Sequence, residues 1–282
     1  MIGLYSNRNG SVFYIYGENM FRIGYYQFRP VFGQTRKNLA KIVRSLRDVK
    51  ADLIVLPELP FTGYYFENRN EAMQLSEDLS NSVVVEGLTA LCKERDFFIV
   101  TGFAERKGDQ CFNSALLIGP AGIQHVYRKL HLFNEEKKWF DPGDIPLQVQ
   151  TVRDVKIGIM ICFDWIFPEV MRTLVLQGAQ VICHPSNLVL SYCQDAMRTR
   201  CIENMVFSVT ANRFGSDKRP HGEVKFTGQS QITAPKGIVI QKAVPQRETL
   251  FIVEIDPALA LNKNITNLND LQKDRRPEFY FR

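Results

Sequence analysis

Cys162 closes the run VKIGIMI (155–161) and stands a few residues ahead of Pro168-Glu169. Val155, Ile157, Ile159 and Ile161 alternate with Lys156, Gly158 and Met160, the period of a strand buried mostly on one face. Pro suits the first position of a helix and Glu its positive end, so a helix is predicted from Pro168. A thiol between the two meets unpaired backbone N–H groups and a field that favours thiolate. Free cysteine is also a common inert core residue, so Cys162 alone reads either way. Two further apolar runs end in ionisable groups: ADLIVLPEL (51–59) presents Glu58 after Pro57, and IQHVYRK (123–129) ends in Lys129. In one pocket the carboxylate can take the thiol's proton, the thiolate can attack, and the ammonium can stabilise the resulting oxyanion. Singly, such a Glu caps or pairs and such a Lys is solvated. The inference rests on the three together.

Histidine is the usual partner of a reactive cysteine, and the chain has four: His125, His131, His184 and His221. His131 and His184 lie near expected strand ends, so spacing leaves a Cys–His dyad open. His125 reads as a solvent-facing strand residue and His221 as part of an exposed loop. No metal-ligand spacing stands out. Cys183-His184 with Cys193 and Cys201 lacks the tight pairs of a structural zinc site. No metal or cofactor is expected.

The elements that must position these groups follow from hydrophobic period. Strands are expected at 21–28, 51–59, 97–103, 113–119, 123–129, 155–161, 179–187, 206–213, 227–234, 237–244 and 249–255. Helices are expected from Thr35, from near Asn81 or Ser82, over about 168–177 with Gly178 after it, and from about Asp195 to Phe207. Residues 64–80 read as a loop with a poor helix, and 131–144 as a polar-aromatic loop lining a site. Pro235-Lys236-Gly237 reads as a hairpin turn. Residues 1–20 show no period and read as an extension outside the core; residues 21–282 read as one domain with a polar tail over 256–282. A buried strand, a Pro and a polar residue recur at 51–59 and 179–187. That repetition predicts two similar halves packed together.

Composition bounds the alternatives. The 282 residues include 45% hydrophobic and 23% charged ones, an ordinary globular balance. The net charge of +5 is spread along the chain without a dense basic run, which argues against nucleic-acid binding. Six cysteines with no Cys-x-x-Cys pair and no signal-like start point to free thiols in a reducing, cytoplasmic setting. No apolar stretch reaches the length of a membrane span.

LPELPFTGY (56–64), YRKLHLF (127–133) and ICFDWIFPE (161–169) resemble, in order, the three signature blocks of the nitrilase superfamily, the carbon–nitrogen hydrolases. FDPGD (140–144), HPSN (184–187), RTRCIENMV (198–206), ANRFG (211–215) and the RRPEFY tail extend the likeness from about Phe21 to Tyr280. The resemblance implies an α/β fold, a four-layer αββα sandwich, with subunits paired into homodimers or larger assemblies. It implies Glu58 as general base, Lys129 as oxyanion stabiliser and Cys162 as nucleophile. A second glutamate is implied in the loop after the lysine, where Glu135 and Glu136 both stand; the spacing favours Glu136.

The implied chemistry is acyl transfer through a thioester, with Lys129 and the backbone N–H of Phe163 holding the oxyanion. Lys129 and the following helix are expected to lower the Cys162 pKa, so that this thiol alkylates at a lower pH than the other five. Cys162-Phe163-Asp164-Trp165 resembles the amidase and N-carbamoyl amide hydrolase branches rather than the Cys-Trp-Glu of true nitrilases. The expected substrates are therefore small amides or N-carbamoyl compounds, with nitriles, N-acyl transfer or a non-catalytic scaffold role as alternatives. Phe163, Trp165 and Asn187 are candidates for substrate binding, although Asn187 equally reads as a cap for the next helix. Arg198 and Arg200 could grip a substrate carboxylate; with Glu203 they read more simply as a helix-borne ion pair bracing the site.

Overall fold

A computed structural model describes residues 20–280 together with two short paired strands, β1 (Tyr5–Ser6) and β2 (Val12–Phe13). The extension expected over 1–20 otherwise lies outside the described residues. Two six-stranded sheets follow. The first has the order β16-β3-β4-β5-β6-β7, with β3 at Phe21–Gln27, β4 at Leu53–Val55, β5 at Phe98–Lys107, β6 at Gln110–Gly119, β7 at Gly122–Arg128 and β16 at Thr249–Ile255. The second has the order β15-β14-β11-β10-β9-β8, with β8 at Gln150–Val152, β9 at Val155–Ile159, β10 at Val181–Pro185, β11 at Phe207–Ala211, β14 at Gln231–Thr233 and β15 at Val239–Lys242. Between β11 and β14 an antiparallel pair, β12 (Phe214–Arg219) and β13 (Gly222–Thr227), stands apart from both sheets.

The two sheets share one plan. Each has three parallel central strands, β3-β4-β5 in one and β9-β10-β11 in the other. Each also has an antiparallel strand on one flank and two on the other. Helices make the parallel crossovers: α1 (Thr35–Leu46) and α3 (Val83–Arg95) in the first half, α5 (Pro168–Leu176) and α6 (Cys193–Asn204) in the second. The sequence repetition at 51–59 and 179–187 is this duplication, since both runs are the middle parallel strand of a half.

Period-two alternation builds the layers. Leu53 and Val55 face the second sheet, joining Ile157, Ile159, Val181 and Val209 in one core. Ile54 and Leu56 face the other way, onto Ile42 and Leu46 of α1 and Leu88 and Leu91 of α3. Val170, Met171 and Leu174 of α5 and Met197 of α6 cover the far side of the second sheet. Each such side chain contributes roughly 1.5–3 kcal/mol on burial. The result is an αββα sandwich. Helix ends follow their residues: the Ser82 hydroxyl accepts the Val85 N–H at 3.0 Å, and α5 opens on Pro168.

Several expectations need adjustment. The 51–59 run is a strand only over Leu53–Val55, because Pro57 cannot donate to a ladder and Leu59 turns at φ +46°. The hairpin β12–β13 was not foreseen from its polar, glycine-containing sequence. The loop at 131–144 holds a short helix, α4 (Glu136–Trp139), and its Trp139 and Phe140 are buried against Tyr64 and Phe66 in a third apolar cluster. A seven-residue helix, α2 (Arg69–Leu75), occupies part of the 64–80 loop. His125 is half-buried in β7 rather than solvent-facing, and burial lowers its pKa.

Candidate active site

The functional groups gather where the parallel strands leave the two sheets, the usual place for a site in α/β architecture. Glu58 follows β4 and is fully buried. Its backbone N–H reaches Ser186 O, beyond β10, at 3.4 Å, which ties the ends of the two sheets together. Gly102 of β5 lies against this bend: a Cβ there would sit 2.4 Å from Leu59 N and 2.5 Å from Glu58 Cα. The Lys129 N–H donates to Asn113 O at 2.9 Å, and the Gly143 N–H donates to Lys129 O at 2.9 Å. The lysine backbone is thus held from both sides.

Lys129 Nζ lies 2.7 Å from Glu58 Oε1 and 2.8 Å from the Glu136 carboxylate, all three side chains being fully buried. Asn113 Nδ2 donates to the same Glu58 oxygen at 2.7 Å, and Glu58 Oε2 has no hydrogen-bond partner among the described residues. Glu136 also accepts the Tyr64 hydroxyl at 2.7 Å and the Phe133 N–H at 3.1 Å. Glu135 instead pairs with the exposed Lys138 at 3.0 Å. Burial works against the Lys129 charge, but the carboxylates of Glu136 and Glu58 outweigh it and hold the pKa above the ordinary lysine value. Burial raises the Glu136 pKa despite Lys129.

Cys162 opens a short 3₁₀ turn (Cys162–Ile166) that joins β9 to α5. Its φ of +39° is a conformation rarely adopted outside glycine and must be held by its surroundings. Asp164 holds one side, accepting the N–H of Ile161 at 2.9 Å, the Tyr127 hydroxyl at 2.7 Å and His131 Nδ1 at 2.8 Å. His184 holds the other, its Nε2 lying 2.9 Å from Cys162 O and its Nδ1 3.1 Å from Thr210 Oγ1. A carbonyl can only accept, so Nε2 carries the proton and Nδ1 takes the Thr210 hydroxyl. Burial lowers the His184 pKa to about 4, keeping it neutral. Both histidines near the strand ends are thus committed to the turn's framework, and the dyad left open by spacing is not formed. The first backbone bond of the turn is Asp164 N–H to Ile161 O at 3.0 Å, which puts the Phe163 N–H ahead of the ladder.

The Cys162 thiol is not the acidic one expected. Burial pushes the Cys162 pKa well above the ordinary thiol value, Glu58 adds to the rise, and Lys129 offsets only part of it. Two carboxylates against one ammonium make a thiolate unwelcome in the resting site. Nor does the α5 dipole act directly on the sulfur, since the 3₁₀ turn intervenes.

A narrow pocket lies at Cys162, with about 280 Å³ of space counting its open mouth. Phe133, Phe163, Trp165, Asn187 and Leu188 are among its walls. Asn187 does not cap the next helix, whose N-terminus at Tyr192 has no side-chain cap. Arg200 donates to Trp165 O at 3.1 Å and pairs with Glu203 at 2.9 Å, while Arg198 donates to Gly237 O at 3.3 Å. Both brace the fold behind the cavity. Among the described residues no cluster of His, Cys, Asp and Glu could hold a metal, and the cysteines at 183, 193 and 201 are free and buried. Asn113, Tyr64, Asp164 and His184 are positioning residues that the sequence reading did not assign. Asn113, which with Ser114 interrupts the apolar run of its strand, carried the clearest signal.

The family model for carbon-nitrogen hydrolases matches residues 22–261, most of the chain. The chain belongs to the carbon-nitrogen hydrolase family. A relative named nitrilase, from Pyrococcus abyssi, is 42% identical over 93% of this carbon-nitrogen hydrolase and 100% of its own length. An N-carbamoylputrescine amidase from Arabidopsis thaliana is 30% identical over 85% of this chain and 86% of its own. In fold, a carbon-nitrogen hydrolase from Helicobacter pylori G27 matches with a TM-score of 0.83 at 23% identity, over 93% of this chain and 97% of that one.

Proposed function

We propose that this protein hydrolyses small amides or N-carbamoyl compounds through a thioester on Cys162. The observation that carries the proposal is Lys129 Nζ held between Glu58 and Glu136, 2.7 and 2.8 Å away, in the buried site that contains the thiol. Glu58 takes the thiol proton as the sulfur bonds to the substrate carbonyl carbon. Lys129 and the Phe163 N–H stabilise the oxyanion that forms. The C–N bond breaks, and Glu58 passes the proton to the departing ammonia or amine. Glu58 then accepts a proton from water, whose oxygen displaces the sulfur; the thiolate recovers that proton and the acid leaves. Glu136 orients Lys129, and Phe163 and Trp165 wall the substrate. A thiol that is protonated at rest suits this cycle, because the proton moves as the bond forms.

Nitrile hydrolysis is the second reading, favoured by the Pyrococcus abyssi relative's name. Ammonia release from paired amides, N-carbamoyl amino acids and nitriles separates the two, with Cys162→Ala as control. Turnover of amides or carbamoyl compounds ahead of the matched nitriles is expected. Activity surviving in Cys162→Ala would overturn the mechanism, and nitriles processed faster than their amides would overturn the substrate class.

A further inference from the structure

Asn187 is 2% exposed, lines the cavity at Cys162, and has neither Nδ2 nor Oδ1 in a hydrogen bond to any described residue. A buried carboxamide with both ends unmet is costly and rare in a folded protein. Its backbone N–H favours the Cys162 thiolate, and the two residues share one wall of the pocket, so the side chain stands beside the reacting atom. The neighbouring walls, Phe133, Phe163, Trp165, Leu188 and Val189, cannot satisfy it: the rings and branched chains are apolar, and the indole offers only a donor. No charged side chain lines the cavity, so an ionised substrate group there would lose its hydration without compensation.

From this we infer that the substrate carries, beside the scissile bond, a second neutral amide-type group, a carboxamide or ureido unit, which pairs its own N–H and C=O with Oδ1 and Nδ2 of Asn187. The inference rests on the amide-hydrolase reading above, in which the scissile carbonyl oxygen is held by Lys129 and the Phe163 N–H and the departing nitrogen by Glu58. The scissile group therefore leaves Asn187 unmet, and a second group of the same chemistry meets it. Apolar pockets with a few placed polar groups select in this way, because an analogue lacking the group leaves the protein's buried partners unpaired.

The test compares amides of equal shape: malonamide with isovaleramide, and succinamide with isocaproamide. In each pair an isopropyl group replaces the second carboxamide. The native enzyme should prefer at least one diamide by about tenfold or more in kcat/KM. In Asn187→Leu, which keeps the volume and removes both polar ends, that preference should fall below about threefold. Calorimetric binding of the same pairs to Cys162→Ala, where Asn187 is intact, gives a readout independent of turnover and of how the leucine variant folds; the diamide should bind more tightly. Equal handling of both pairs by the native enzyme, or a preference that survives Asn187→Leu, overturns the inference and leaves amide hydrolysis standing. Failure of every amide and carbamoyl compound to acylate Cys162 overturns the underlying reading instead.

Discussion

A single buried ammonium lies between two carboxylates in the site that contains the Cys162 thiol. Because Glu58 and Glu136 both raise the Cys162 pKa, removing one charge should acidify the thiol even as it removes the proposed base. Glu58→Gln is therefore expected to alkylate with iodoacetamide at lower pH than the native enzyme while losing at least about a thousandfold in turnover. A pH profile of alkylation at the Cys162 peptide checks this, and a native thiol that ionises first would contradict it. Lys129→Met removes the counter-charge of two buried carboxylates and should cost about 3–5 kcal/mol in chemical denaturation. The strand-end placement of Glu58, Lys129 and Cys162 was legible in the sequence because each ends an apolar run. The sign of the thiol's shift was not, since it depends first on burial and then on how many carboxylates share the pocket, and Glu136 enters from a loop without period.

Close backbone approach places these groups at the level of strands and turns. Gly102 on β5 leaves room for the bend at Glu58-Leu59, and a methyl there would overlap backbone atoms at 2.4–2.8 Å. Gly102→Ala is expected to lower stability by about 1–3 kcal/mol and to reduce kcat more than it raises KM, since Glu58 is displaced while the cavity walls stay. Thermal unfolding with steady-state kinetics on a cleaved substrate measures both; unchanged kcat would contradict the role given to the bend. The parallel strands were readable from apolar period, and the 3₁₀ turn after β9 was not. That turn depends on Asp164 and His184, whose bonds to Tyr127, His131 and Cys162 span 22 to 37 residues of sequence. The β12–β13 hairpin escaped for a related reason: its Asp217 accepts Arg213 and the Tyr64 N–H, and its apolar contact with the third cluster is confined to Phe226 and Val224.

Two duplicated halves put many ionisable groups out of water, and the whole molecule's stability should register that at both ends of the pH scale. His184 refuses a proton until about pH 4, whereas the unfolded chain takes it near 6.5. Stability is therefore lost as pH falls through that window, by about 3 kcal/mol from this group. On the alkaline side the free thiols stay protonated in the fold: burial lifts Cys92 and Cys201 to about 12 from an ordinary value of 9.0, and Cys162 and Cys193 well above it. The unfolded chain sheds those protons first, so each thiol should remove roughly 1.4 kcal/mol per pH unit above about 9. Urea midpoints across the range should fall at both ends, and a flat profile above pH 9 would contradict the burial of these groups. The layered α/β plan was legible because its two halves repeat a pattern. The pH response was not, because burial is a property of the assembled sandwich.

Covalent attachment at one sulfur tests the whole account most directly. The enzyme is mixed with a turned-over amide, quenched in acid during steady state, and the peptide containing Cys162 is weighed. A mass increase equal to the substrate's acyl group on Cys162, absent from the other five cysteines and from Cys162→Ala, is predicted. Sustained ammonia release with an unmodified Cys162, or an acyl group found on another residue, would contradict it.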